Sequence, residues 1–208
     1  RGGLRQYRQV VKALLAGLAF FAAGAAGAAE DAAYARGEEL VMGRCFLCHG
    51  ATGDSSSPLY PKIAGQHPTY LYKQMRNYLS GEREGTDMRK ALAELSDADL
   101  RALATYYSRQ PTTRGNSSYP QMREAGERLF REGNPATGLK PCKECHGDEG
   151  GGTDKTPRLA GQHALYIETQ LSLFEERRRT NDNEKMHDVA KRLSIDEMRA
   201  VAEYLRGL

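Results

Sequence analysis

Cys45-Phe46-Leu47-Cys48-His49-Gly50 and Cys142-Lys143-Glu144-Cys145-His146-Gly147 decide how this chain is read. They are one motif, met twice at an offset of 97 residues. Outward from them, Pro61-Lys62-Ile63-Ala64-Gly65-Gln66-His67 recurs as Pro157-Arg158-Leu159-Ala160-Gly161-Gln162-His163 at an offset of 96. Tyr70 and Gln74 match Tyr166 and Gln170 at the same offset. Met88 matches Met186, Leu95-Ser96 matches Leu193-Ser194, and Tyr106 matches Tyr204, all at 98. Landmarks that keep their order while drifting by one or two residues define an internal repeat. The body is two copies of one domain, over 30–110 and 121–208. Between them, 111–120 is rich in Pro, Gly, Ser and Asn and reads as a linker.

Each copy is expected to be all-α. Leu40 and Val41 share one side of a helical stretch over 32–44 that runs into the first cysteine pair. Its counterpart, 125–130, reaches the second pair through a Gly- and Pro-containing insertion at about 131–141. Leu71, Met75, Tyr78 and Leu79 recur at helical spacing. Ser96 with Asp99, and Ser194 with Glu197, form capping boxes that open the last helix of each copy. Leu100, Leu103, Ala104 and Tyr107 make one apolar face; Met198, Val201, Ala202 and Leu205 make the other. No run alternates like a strand.

The chain has 208 residues, 39% hydrophobic and 27% charged, which is a globular composition. Its net charge of +3 is placed unevenly. Arg1, Arg5, Arg8 and Lys12 are the only charges in the first 29 residues, so the remainder holds 26 bases against 27 acids. That balance, with no basic patch interleaved with aromatics, excludes a nucleic-acid partner. A basic start, an apolar stretch over 10–23 and small residues to Ala29 read as a secretory signal peptide, or as an anchor if uncleaved. The expected compartment is the periplasm, with membrane attachment through 10–29 as the variant reading.

Cys-x-x-Cys-His is the attachment motif of a c-type haem. Two thiols three residues apart reach the two vinyl groups of one porphyrin, and the adjacent His lies under the iron. A thioredoxin-like pair needs a βαβ setting, which is not visible. A four-cysteine zinc site does not need a His after each pair. Two motifs account for all four cysteines: Cys45, Cys48, Cys142 and Cys145 hold two covalent haems, with His49 and His146 as iron ligands.

The sixth ligand sets the chemistry, since an open iron permits catalysis and a closed one does not. A ligand needed in both copies should recur. Met88 and Met186 do, each seven residues before its Leu-Ser pair. Met75 and Met198 align with Leu171 and Leu100 and read as core. His67 and His163 also recur and are the rival axial ligands. His187 has no partner in the first copy and reads as a surface residue. Pro61 and Pro157 are loop stiffeners, or mark the carbonyl that accepts the proximal His Nδ1–H. Tyr70, Gln74, Tyr166 and Gln170 either bond haem propionates or pack.

In these residues, the chain from about residue 32 onward resembles the dihaem cytochrome c4 family. The marks are the two Cys-x-x-Cys-His motifs, the Pro-x-Ile/Leu-Ala-Gly-Gln segments, Arg179-Thr180-Asn181-Asp182 before Met186, and the closing Leu-Ser plus helix. The resemblance implies two class I cytochrome c folds with His/Met iron, related by a pseudo-twofold axis. It also implies periplasmic electron transfer from a quinol-oxidising complex (a quinol–cytochrome c oxidoreductase) to a terminal oxidase. An electron-accepting subunit of a flavocytochrome or other dehydrogenase is the second reading, and a dihaem enzyme with an open iron the third. One departure stands out: from Gln74 to Met88 the first copy is two residues shorter than from Gln170 to Met186.

Overall fold

A computed structural model of the chain describes residues 27–116 and 119–208. Most of the expected signal or anchor segment therefore lies outside the described residues, as do Ser117 and Ser118 of the linker. Ten helices follow in order among the described residues. The first domain holds α1 (27–40), α2 (Phe46–His49), α3 (Pro68–Ser80), α4 (Thr86–Leu92) and α5 (Asp97–Ser108). The second holds α6 (Pro120–Glu132), α7 (Lys143–His146), α8 (Ala164–Glu175), α9 (Lys185–Ala190) and α10 (Ile195–Arg206). A five-residue π-turn, Val41–Cys45, joins α1 to α2. No described helix is long and apolar enough to cross a membrane.

Local chemistry sets these boundaries. Pro68 and Pro120 sit in the first turns of α3 and α6, where a missing N–H costs nothing. Ser96 and Ser194 form reciprocal capping boxes with Asp99 and Glu197 at the starts of α5 and α10. After α3 the chain turns at Gly81 with φ +85°. The equivalent residue after α8 is Arg177, at φ +55°, where a side chain costs roughly 1 kcal/mol.

In each copy the first helix crosses the last at a glycine. A Cβ on Gly37 would sit 2.3 Å from the Ala102 carbonyl oxygen; on Gly126, 2.0 Å from that of Ala200. The crossing lets Tyr34 meet Tyr106 at 5.0 Å between ring centroids, and Phe130 meet Tyr204 at 5.4 Å. Around these contacts the cores close, with Val41, Leu71, Leu103 and Tyr107 in one domain and Phe130, Leu171, Met198 and Leu205 in the other. The glycines align at an offset of 89 and the cysteines at 97, so eight extra residues lie between. They form a turn closed by the bridge Asn134–Leu139.

The domains join through reciprocal contacts. The Gln162 side chain accepts from the Lys62 N–H at 2.9 Å and donates to the Lys62 carbonyl at 2.7 Å. Gln66 does the same for Arg158, at 2.8 and 2.9 Å. Lys62 aligns with Arg158 and Gln66 with Gln162, so the interface is a pseudo-twofold within one chain.

Candidate haem sites

The π-turn and α2 present Cys45, Cys48 and His49 on one short coil; α7 presents Cys142, Cys145 and His146. The four thiols are unpaired. Burial pushes the Cys45 thiol up and the Cys142 thiol up to about 11. Thiols held protonated are poor metal ligands and poor exchange nucleophiles. Among the described residues, no three His, Cys, Asp or Glu side chains gather into a metal cluster, so the two pairs do not build a zinc site.

His49 and His146 are buried, and each imidazole Nδ1–H donates to a proline carbonyl at 3.0 Å, Pro61 for one and Pro157 for the other. Burial pushes both rings below the ordinary histidine range against the effect of that bond. Each therefore stays neutral at pH 7 with its Nε2 lone pair available, the tautomer a metal-bound histidine needs. His67 and His163 are placed differently. Their Nε2 atoms donate across the interface, to the Gly151 carbonyl at 2.9 Å and the Ser55 carbonyl at 2.8 Å. Their recurrence reflects interface symmetry, which corrects the expectation that they rival methionine for iron. His187 is also not a plain surface residue: its Nδ1 bonds the Phe174 and Glu175 carbonyls at 3.1 Å. Met88 and Met186 are half-buried, on α4 and α9, and Met186 packs against the second core.

Tyr70, Gln74, Tyr166 and Gln170 converge on two buried arginines to which the sequence alone assigned no role. Arg83 donates to Gln74 Oε1 at 2.7 Å, Tyr166 Oη at 2.8 Å and Gln170 Oε1 at 3.0 Å. Arg179 donates to Gln170 Oε1 at 2.6 Å, Tyr70 Oη at 2.9 Å and Gln74 Oε1 at 3.2 Å. Both lie under 10% exposed, at 7% and 6%. Burial pushes the Tyr166 hydroxyl up, but the two guanidiniums outweigh it and bring it down. Neither arginine has a carboxylate partner among the described residues. Two buried cations held only by neutral oxygens call for an anion, and a haem brings two propionates. The donor set thus fits the group: thiols for vinyls, imidazoles for iron, guanidiniums for propionates. The signal was present in the sequence, because Arg83 and Arg179 align at the same offset of 96 as the tyrosines.

The surfaces around the two motifs differ. Phe46, Leu47, Leu59 and Tyr60 surround the first, with Leu47 80% and Leu59 74% exposed. The Tyr60 ring meets His49 edge-on, 6.2 Å between centroids. The aligned residues at the second motif are Lys143, Glu144, Lys155 and Thr156. One collar is apolar and the other polar.

Two domains of this fold, each with a Cys-x-x-Cys-His coil and a proline-held histidine, define a dihaem c-type cytochrome. The Cytochrome c family model matches residues 34–108 and again 124–208. The chain belongs to the cytochrome c4 family, whose members are electron-transfer proteins with covalently bound haem c. It is 42% identical to cytochrome c4 of Thiocapsa roseopersicina over 176 residues, covering 83% of this chain and 91% of that one. The crystal structure of reduced recombinant cytochrome c4 from Pseudomonas stutzeri superposes with a TM-score of 0.80 at 37% identity, covering 84% and 98%. A thiosulfate dehydrogenase electron acceptor of Thiomonas intermedia is 34% identical over 210 residues, covering 97% and 93%.

Proposed function

We propose that this dihaem electron carrier works in the periplasm between a quinol-oxidising complex and a terminal oxidase, soluble or held at the inner membrane through 10–29. The observation that supports it is the shared polar network, in which Arg83 and Arg179 each bond residues of both domains. It links two equivalent sites across one interface. When bound, each haem supplies a one-electron Fe(II)/Fe(III) couple. Cys45 and Cys48, and Cys142 and Cys145, hold the porphyrins as thioethers. His49 with Met88, and His146 with Met186, would hold the two irons and leave no open position for a substrate. Thioether ligation favours Fe(II) and raises the potential relative to two histidines. Arg83 and Arg179 would offset propionate charge, held in place by the Tyr166 and Tyr70 hydroxyls that accept from them. The chain's own part is then to bury, orient and dock.

A second reading has one observation in its favour. The relative named as a thiosulfate dehydrogenase electron acceptor matches 97% of this chain. Under that reading the donor is a sulfur-oxidising dehydrogenase rather than a quinol-oxidising complex. Optical spectra of the purified protein, oxidised and reduced, with carbon monoxide added to the reduced form, test the closed sites. A far-red sulfur-to-iron band from both haems and no carbon monoxide binding is the expected result. Carbon monoxide at either reduced haem overturns it. Rates of haem reduction by a quinol-oxidising complex and by a thiosulfate-oxidising dehydrogenase separate the two donors.

A further inference from the structure

The pseudo-twofold is broken at the methionine loops. Arg83 and Arg179 anchor the root of each loop alike. Beyond the root, Asn181 Nδ2 donates to Gln74 Oε1 at 3.0 Å and to Asn77 Oδ1 at 2.9 Å. Lys73 Nζ donates to the Asn181 carbonyl. Asp182 Oδ2 then accepts from the N–H of Met186 itself at 2.7 Å. So α3 of the first domain grips the loop that carries the second domain's methionine. The grip is not returned. Residues 84–88 make no hydrogen bond to the second domain among the described residues. The residues aligned with Lys73 and Asn77 are Thr169 and Leu173, which cannot supply it. The two extra residues of the second loop fall between Arg179 and Met186, the segment that reaches α3.

We infer that the first haem is the one that opens, in the ferric state, to single-donor ligands of the imidazole class: Met88 yields ferric iron readily, while the Lys73–Asn77–Asn181 clamp holds Met186 in place. The inference rests on the His/Met reading given above. A single-donor ligand of the imidazole class enters only after the methionine leaves, so its binding reports loop opening. Each net hydrogen bond shifts such an opening by roughly two- to tenfold. Three clamp bonds and the Asp182 bond therefore slow the second site by at least about tenfold.

The test mixes the ferric holoprotein with imidazole and follows loss of the far-red sulfur-to-iron band. Two phases of similar amplitude are expected, with the fast one absent in Met88→Ala. Lys73→Thr, the residue the second domain carries, should speed the slow phase several-fold and leave the fast phase unchanged; Asn77 is kept, because its Nδ2 also donates to Glu82 of the first loop. Asn181→Ala, a loop change that leaves α3 intact, should do the same. A single phase, a fast phase that belongs to Met186, or a slow phase indifferent to all these variants overturns the clamp. A ferric protein lacking the far-red band before imidazole is added overturns the methionine reading beneath it, so the two failures are distinguishable.

Discussion

Gly126→Ala places one methyl where the structure has no room. Its Cβ would lie 2.0 Å from the Ala200 carbonyl oxygen, 2.5 Å from the Ala200 carbonyl carbon and 2.9 Å from Tyr204 Cβ. Two of these three atoms are backbone in the middle of α10, so no side chain can swing aside. To reach an ordinary contact of 3.4 Å or more, α6 and α10 must part by more than about 1 Å, which loosens the packing of Phe130 on Tyr204. Overpacking of this kind costs about 3 kcal/mol. Alanine's better helix propensity returns about 1 kcal/mol, leaving a net loss of about 2 kcal/mol. For a domain of this size that is a fall of roughly 10 °C in Tm. The assay is thermal unfolding of the holoprotein followed by circular dichroism and by haem absorbance. Gly43→Ala, where nothing lies within 4 Å of the added Cβ, is the control and should be neutral or slightly stabilising. If Gly126→Ala melts with or above the parent, the helix crossing is not glycine-dependent and the packing argument fails.

Other perturbations read other parts of the molecule. Arg179→Gln removes a buried cation; measured by potentiometric titration, haem potentials should fall by tens of millivolts, at about 59 mV per tenfold for one electron. Unchanged potentials would remove the propionate role. Gln162→Ala leaves the Lys62 N–H and carbonyl without their partner, at a cost of about 1–3 kcal/mol. Denaturant titration should then split into two transitions as the domains uncouple. Asp99, bonded to the Ser96 hydroxyl and backbone N–H and to Arg36, titrates at about 2, below its ordinary 3.8. Its stabilisation is present above about pH 4 and is lost as pH falls from 4 to 2. Asp99→Asn should flatten the pH dependence of Tm in that window, with about 1 kcal/mol lost at neutral pH.

The helices and the two motifs were legible because their signals are local: cap chemistry, helical spacing and a five-residue cysteine–histidine pattern. The arginine pair was less legible, because Arg83 and Arg179 sit in polar stretches that look solvent-facing. Their shared offset, and the place of Arg179 in the Arg-Thr-Asn-Asp run, set them apart from surface charge. Gly37 and Gly126 gave no signal, since a glycine inside a helix reads as a mild defect until its neighbour across the crossing is known. His67 and His163 show the opposite ambiguity. Recurrence marked them as important, but iron and a symmetric interface both demand recurrence. Which one applies depends on where the ring nitrogen points, and that is tertiary information.

The paired glutamine contacts at Lys62 and Arg158 have the form of a homodimer interface, the same patch used on both sides. Here the two halves are tethered by about ten residues, which sets an effective local concentration near the millimolar range. A tethered interface need not be strong enough to assemble two free proteins at cellular dilution. It is free to be polar and to hold buried arginines, which a diffusing pair would dissociate rather than desolvate. It is also free to lose its symmetry, because each half now has its own codons. The apolar collar at one end, the polar collar at the other and the one-sided grip on a methionine loop are differences that two identical subunits cannot acquire.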